Sequence, residues 1–423
     1  MHLHKAVATL LLISFLSPLF GLSVGFSEVK EDPNSSLNLL KGRVFDYPLS
    51  EAELEIAADL EFSLATVGKG EALYEWFGHS GIIVTEKSSN RSVMYDFGIF
   101  SFDDNFYQTY ALGNLNYEVW ATSAPLRIKM TVEENRYLSL LTLKLSPSAK
   151  LETLNLLNFT TREPNNIYLY HHYRENCATR IRDIIDGATD GKLQQWAESV
   201  VIDETLRQLV DNKTDFSPLI NWTLNFLQSG VIDKPITYWD AMFLPSVLEE
   251  GLIEFSRLTD IDLANTKEII NQAPQPKKSV TLFFVPLFAL AVSLISLYLF
   301  YSKRKKLYSV INFVWSFCFG LLSCLLLFMM VMTNHDVTYF NENIIFASPF
   351  LLVAAFILLI KGTKSFRVAN TAMLFILIAY IALKFAFRGI FYQNNIQIIV
   401  TFLPLYLFNS SLVLRNLTAK EQS

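Results

Sequence analysis

The run YHHYRENCATRIRDIID, residues 170–186, gathers a cysteine, two histidines, arginines and carboxylates into one short stretch. Cys177 is the only cysteine before residue 281, because Cys318 and Cys324 both fall in an apolar run near the middle of the second half. No intrachain disulfide can use it without leaving the membrane, and in an oxidising compartment a lone thiol is either buried or needed. The isoleucines that follow it recur at helical spacing, which places Cys177 near a helix N-terminus, where free amides and the helix dipole lower a thiol's pKa and hold an oxyanion. Such a thiol is either a nucleophile or a small buried hydrophobe of the core.

A nucleophilic thiol needs a base, and the chain has 6 histidines. His2 and His4 lie in the N-terminal apolar segment and His335 in a loop between apolar runs. His79 stands in WFGHSGIIV, after a glycine that permits close backbone approach and before a strand-like run. His171 and His172 are rivals by proximity, but if a helix begins at Cys177 they lie in the extended segment before it. The bland reading of His79 is a strand-start histidine hydrogen-bonded to a turn.

The elements that must position these groups are legible in outline. LSEAELEIAADLEFSLATV begins as a helix, and residues 79–100 form a hairpin with its polar turn at Lys87 to Arg91. NLNYEVWAT reads as a further strand. TVEENRYLSLLTLKL reads as a helix capped by Thr131 with Glu134 three residues on, and CATRIRDIID as another. A mostly helical tail follows, ending in DKPITYWDAMFLPSVLEEGL, and NQAPQPKK, residues 271–278, reads as a linker.

Composition divides the 423 residues in two. The chain is 51% hydrophobic with 34 Phe, and the excess sits in apolar runs at 281–301, 308–332, 344–360, 368–387 and 396–414, each near the length that crosses a bilayer. Asp336, Glu342 and Glu421 are the only acidic residues after Lys278, so an acidic part precedes a basic one. That distribution argues against nucleic acid as a partner. The basic stretches SKRKK and KGTKSFR follow the first and third runs, whereas TNHDVTYFNEN carries no Lys or Arg, so the large domain faces away from the cytoplasm. Residues 1–26 read as a signal peptide or anchor without a lipobox cysteine, 27–275 as an exported α+β domain, and 276–423 as a five-helix transmembrane domain. His335, Asp336, Asn341 and Asn343 of the 333–343 loop, with Lys384 and Arg388 at the end of the fourth run, either meet lipid or are ordinary polar and snorkelling residues. FYQTY and NYEVW either pack an acyl chain or form core.

The segments WFGHSGIIV, VMYDFGIF, NFYQTYALGNLNYEV and YHHYRENCATRIRDII together resemble the Lnb N-terminal periplasmic domain family, whose members include a lipoprotein N-acyltransferase. The His-then-Cys order is also similar to the circularly permuted papain-like fold of NlpC-type peptidases and lecithin retinol acyltransferase. The resemblance implies Cys177 as nucleophile, His79 as base, and Asp96 or Tyr95 on the following strand as the third polar group. It implies an acyl chain taken from a membrane phospholipid as a thioester and passed to the N-terminal amine of diacylated lipoproteins. The setting it implies is a bacterial inner membrane with the domain in the periplasm, and no cofactor. Arg174, Arg180 and Arg182 are candidates for the lipid phosphate, and Asn176 for substrate binding; the other reading of the arginines, preferred for Arg182, is a solvated helix face paired with Asp183 and Asp186. The same thiol and histidine would equally serve a peptidase or amidase on cell-wall peptides, and a purely binding domain would need neither. No metal-ligand spacing or glycine-rich phosphate loop is present in the sequence.

Overall fold

The computed structural model describes residues 48–100, 106–274 and 283–413, so the 1–26 segment and the second half of the expected linker lie outside the described residues. The chain divides into two compact units, one taking residues up to 204 with 235–275, the other 205–234 with everything from 276.

In the first unit, helix α1 (Glu51–Asp59) opens on a capping box in which Ser50 and Glu53 satisfy each other's backbone amides. The chain then turns directly into strand β1 (Leu60–Val67), where apolar residues alternate with polar or small ones. Strands β2 (His79–Glu86) and β3 (Arg91–Ile99) form the expected hairpin, and β4 (Asn116–Ser123) the expected strand. With β5 (Leu138–Leu143), β6 (Ile167–Leu169) and a late strand, Ala264–Asn271, they make a seven-stranded sheet in the order β6-β4-β3-β2-β1-β5 and then the late strand, every described pairing antiparallel.

Side chains alternate across this sheet. Phe62, Leu64, Ile82, Val84, Tyr95 and Phe97 face the larger core, built with helices α3 (Pro147–Thr160), α4 (Cys177–Ala188) and α5 (Pro245–Leu258). Ala65, Val67, Ile83 and Met94 face the other way, onto Ala124 and Ile128 of α2 (Ala124–Glu133). Helix α4 buries Ala178, Ile181 and Ile185 against the larger core, as their spacing predicts. Truncating Ile181, wholly buried, would cost about 2–5 kcal/mol.

Three elements differ from the sequence expectation. The helix expected to start at Thr131 ends there: α2 begins after Ser123 with a proline in its first turn, and Thr131 hydrogen-bonds back to the Arg127 carbonyl. The LSLLTL run that follows is β5, because it pairs with β1 on one side and with the late strand on the other, and tertiary pairing overrides a helix-compatible local pattern. The late strand lies between the expected helical tail, which ends at Leu252, and the expected linker, where no element was expected.

In the second unit, among the described residues, Phe284–Tyr301, Lys305–Met332 and Asn343–Ala386 are long and apolar enough to cross a membrane, and Ile396–Phe408 is a shorter apolar helix. The expected third and fourth runs lie on either side of Gly362, whose φ of 76° breaks the Phe350–Ala386 helix. KGTKSFR is therefore a kink and a helix start rather than a loop. Residues 205–234 belong to this unit, although the sequence placed them in the exported domain. Their helix Pro218–Leu227 buries Trp222 and Phe226, and Trp222 Nε1 donates to Thr401 Oγ1 at 3.0 Å. Asn341 and Asn343 donate to the Phe226 carbonyl, each at 3.0 Å, so the 333–343 loop is bound into the unit.

Gly78, one residue before β2, has a φ of 84°, and a Cβ there would meet the Val67 carbonyl oxygen at 2.7 Å. Gly78→Ala is expected to lose about 1–3 kcal/mol, read as a lowered midpoint in thermal unfolding of the detergent-solubilised chain; an unchanged midpoint would show that the turn relaxes freely.

Candidate active site

Cys177 is the first residue of α4, and its position is set by the residue before it. Asn176 Oδ1 accepts the Thr179 amide at 2.9 Å, while Thr179 Oγ1 accepts the Asn176 amide at 2.9 Å. Asn176 Nδ2 also donates to the carbonyls of His172 (2.8 Å) and Phe243 (2.9 Å). The side chain expected to meet substrate is thus consumed by the cap, and it is 6% exposed. Asn176 is corrected from a binding residue to the fastener of the helix start. First-turn amides of α4 have no intrahelical acceptor.

His79 opens β2 on the sheet face opposite the one α4 packs against, so thiol and imidazole meet around the end of the strand. Gly98 lies beside the thiol with a φ of 97°, a backbone conformation that favours glycine, although a Cβ there would make only ordinary contact, 3.7 Å from the Cys177 Cβ and 3.7 Å from the Tyr168 hydroxyl. His79 Nε2 is 2.7 Å from Asp96 Oδ1, a diagonal neighbour on β3, which leaves Nδ1 for the hydrogen bond to Cys177. Asp96 is fully buried, and Arg127 Nε of α2 donates to its Oδ2 at 2.9 Å. Tyr95, the other candidate for the third polar group, points into the larger core and donates to Asn158 Oδ1 at 2.8 Å.

The charges of this chain reinforce one another. Burial would raise the Cys177 pKa, but the His79 charge and hydrogen bond, with backbone hydrogen bonds from Ser80 and Ala178, hold it below the ordinary thiol value. Burial would depress His79, but the thiolate and Asp96 outweigh it and raise the imidazole to about 9. Burial would raise Asp96, and Arg127 and His79 together keep it lowered. The signs agree on a thiolate–imidazolium pair, present above the depressed Cys177 pKa and lost as the pH rises through about 9.

The rival histidines do other work. His171 accepts the Tyr173 and Arg174 amides on Nδ1, both at 3.2 Å, and meets the Arg174 guanidinium at Nε2, 3.0 Å away, so both its nitrogens are used in the turn. His172 packs edge-on against Phe77 and Phe243, and burial, aided by the His171 charge, lowers its pKa to about 4. Arg180 stacks on the Tyr168 ring at 4.7 Å and reaches Glu175 at 3.4 Å. Arg182 is structural, over the Trp239 ring at 3.7 Å and paired with Asp183 at 2.8 Å. Tyr117 of NYEVW stacks on Tyr170 at 4.1 Å, and burial, with the thiolate adding, pushes the Tyr168 and Tyr170 hydroxyls well above their usual value. Among the described residues no cluster of His, Cys, Asp and Glu could hold a metal ion.

Sequence reasoning did not find Arg127. The misplaced helix start hid it, since only with α2 beginning at Ala124 does Arg127 fall one turn in, over the sheet face that carries Asp96.

The fold and the site together define a membrane-anchored protein whose mixed α/β domain presents a paired cysteine and histidine. Residues 56–212 match the family model described as the Lnb N-terminal periplasmic domain, and residues 277–422 match the one described as the Lnb transmembrane domain. The chain belongs to the Lnb family, with a periplasmic domain followed by a transmembrane one. No curated protein and no solved structure matches it.

Iodoacetamide alkylation of Cys177 is expected to stay fast to well below pH 8. His79→Gln should return the profile to that of an ordinary thiol, near pH 8.5, at least about tenfold slower at pH 6.5, and Arg127→Met should fall between. Identical profiles for all three would show that the pair does not activate the thiol.

Proposed function

We propose that this protein is a lipoprotein N-acyltransferase of the bacterial inner membrane. It takes an acyl chain from a phospholipid onto Cys177 and passes it to the N-terminal amine of diacylated lipoproteins. The observation that carries this reading is the contact of a helix-start thiol with His79, whose other nitrogen is fixed by Asp96 at 2.7 Å. Membership of the Lnb family supports lipoprotein processing. The family's fold would be the permuted papain-like one, and its membrane domain would count five spans, with the two arms around Gly362 as the third and fourth and Ile396–Phe408 as the fifth.

In this reading Cys177 Sγ⁻ attacks the ester carbonyl carbon, and first-turn amides of α4 hold the tetrahedral oxyanion. The ester C–O bond breaks, the leaving lysophospholipid oxygen takes the proton from His79 Nδ1, and the acyl group remains as a thioester. The lipoprotein amine, with a pKa near 8 and so partly neutral at pH 7, then attacks the thioester carbon. His79 takes the amine proton, the C–S bond breaks, and the thiolate is restored beside its imidazolium. Asp96 keeps His79 oriented throughout, and Arg127 keeps Asp96 ionised. Arg180, beside Tyr168 and one turn from Cys177, and the exposed Arg174 are the side chains that would meet the lipid phosphate. A wall peptidase would use the same pair but has no need of a transmembrane domain.

Purified protein incubated with phospholipid is expected to gain one acyl mass on the Cys177 peptide, removed by hydroxylamine and absent from Cys177→Ala and His79→Ala. A folded wild-type protein that never gains the adduct, yet cleaves a wall peptide, would replace this reading with the amidase.

A further inference from the structure

A cavity of about 560 Å³ opens in the second unit where the Phe350–Ala386 helix, the following turn and the Ile396–Phe408 helix meet. That volume lies within the usual range for a small-molecule site. Its lining combines the apolar Ile381, Phe385, Ile396 and Ile399 with Lys384, Arg388 and Asn395.

The two cations are not equivalent. Lys384 Nζ is held by Glu342 at 2.9 Å and by the Gln393 carbonyl at 2.6 Å, so its charge is neutralised and it braces the turn. Arg388, one helical turn on, rests over the Phe385 ring at 5.9 Å and has no ion-pair partner among the described residues. An arginine is always protonated and offers five donors in a planar fork suited to phosphate. Asn395 belongs to the buried frame behind the cavity. Its Nδ2 donates to Asn343 Oδ1 (2.9 Å) and Tyr380 Oη (2.8 Å), which fixes the amide, because Asn343 Nδ2 is committed to the Phe226 carbonyl and its Oδ1 can only accept. Asn395 is 2% exposed, and its Oδ1 is left as a buried acceptor with no donor in the protein.

We propose that this cavity binds one glycerophospholipid, with its phosphate on Arg388 and the start of an acyl chain along Ile381, Phe385 and Ile396. An uncompensated cation beside apolar side chains selects an anion attached to hydrocarbon. The site lies wholly within the membrane unit and does not rest on the chemistry proposed for Cys177, so it is tested in the full-length Cys177→Ala protein.

The probes are phosphatidylethanolamine and diacylglycerol carrying the same photoreactive acyl chain, reconstituted with the protein in nanodiscs, with crosslinked peptides mapped by mass spectrometry. Phosphatidylethanolamine is expected to label residues 381–399 at least about tenfold more than diacylglycerol does. Arg388→Gln, at an exposed position that leaves the fold intact, should remove most of that preference, about tenfold for one lost charge-assisted contact. Arg388→Lys should restore part of it. Ile396→Trp, which narrows the cavity, should lower labelling by both probes, and excess inorganic phosphate should not compete. Three results would each overturn the proposal: equal labelling by both lipids, full labelling in Arg388→Gln, or displacement of the lipid by inorganic phosphate alone.

Discussion

A buried carboxylate holds the first unit's candidate site together. Asp96 has no exposed surface, and an isolated carboxylate in that position would cost several kcal/mol. It stays charged because Arg127 from α2 and His79 from β2 both bind it. Removing one partner of such a buried set typically costs about 3–5 kcal/mol, so the cost of burial becomes a constraint: strand, helix and hairpin have one mutual arrangement in which the carboxylate is satisfied. In that arrangement the free nitrogen of His79 faces the start of α4, and the thiol there finds a cation.

Much of this was legible in the sequence, for identifiable reasons. The hairpin carrying His79 and Asp96 shows period-two alternation around a polar turn, and α4 shows its isoleucine face and its polar cap. These are local signals, and local physics produced the elements. Arg127 was not legible because its role depends on a contact 31 positions away and on a helix start that the TVEENRYL pattern obscured. The β5 run reads as either helix or strand until its neighbours β1 and the late strand are in place. Asn176 was legible as polar and adjacent to the thiol, which suggests substrate contact; only the four groups it bonds show that it fastens the helix start.

The membrane unit follows the same rule with different partners. Glu342 is nearly buried among apolar helices, and it accepts from Tyr380 (2.6 Å), Lys384 (2.9 Å) and the Gln393 amide (2.8 Å). A carboxyl group buried among apolar side chains persists only when its hydrogen-bond partners are built in. The sequence treats Lys384 and Arg388 alike; the structure separates them, Lys384 bound by Glu342 and Arg388 without an ion-pair partner among the described residues. The placement of 205–234 with this unit has a similar cause, since Trp222 and Phe226 need apolar neighbours that a short helix between polar stretches does not advertise.

The central claim is that Cys177 ionises below the ordinary thiol range because the Arg127–Asp96–His79 chain supplies a proton-bearing imidazole to it. Titrating the ultraviolet absorbance of the thiolate, with the Cys177→Ser protein subtracted, tests this directly. The account predicts a thiolate signal already present at pH 7 that Arg127→Met weakens and His79→Gln abolishes. A thiol that ionises only near its ordinary value of about 8.5, unchanged in either variant, would contradict it.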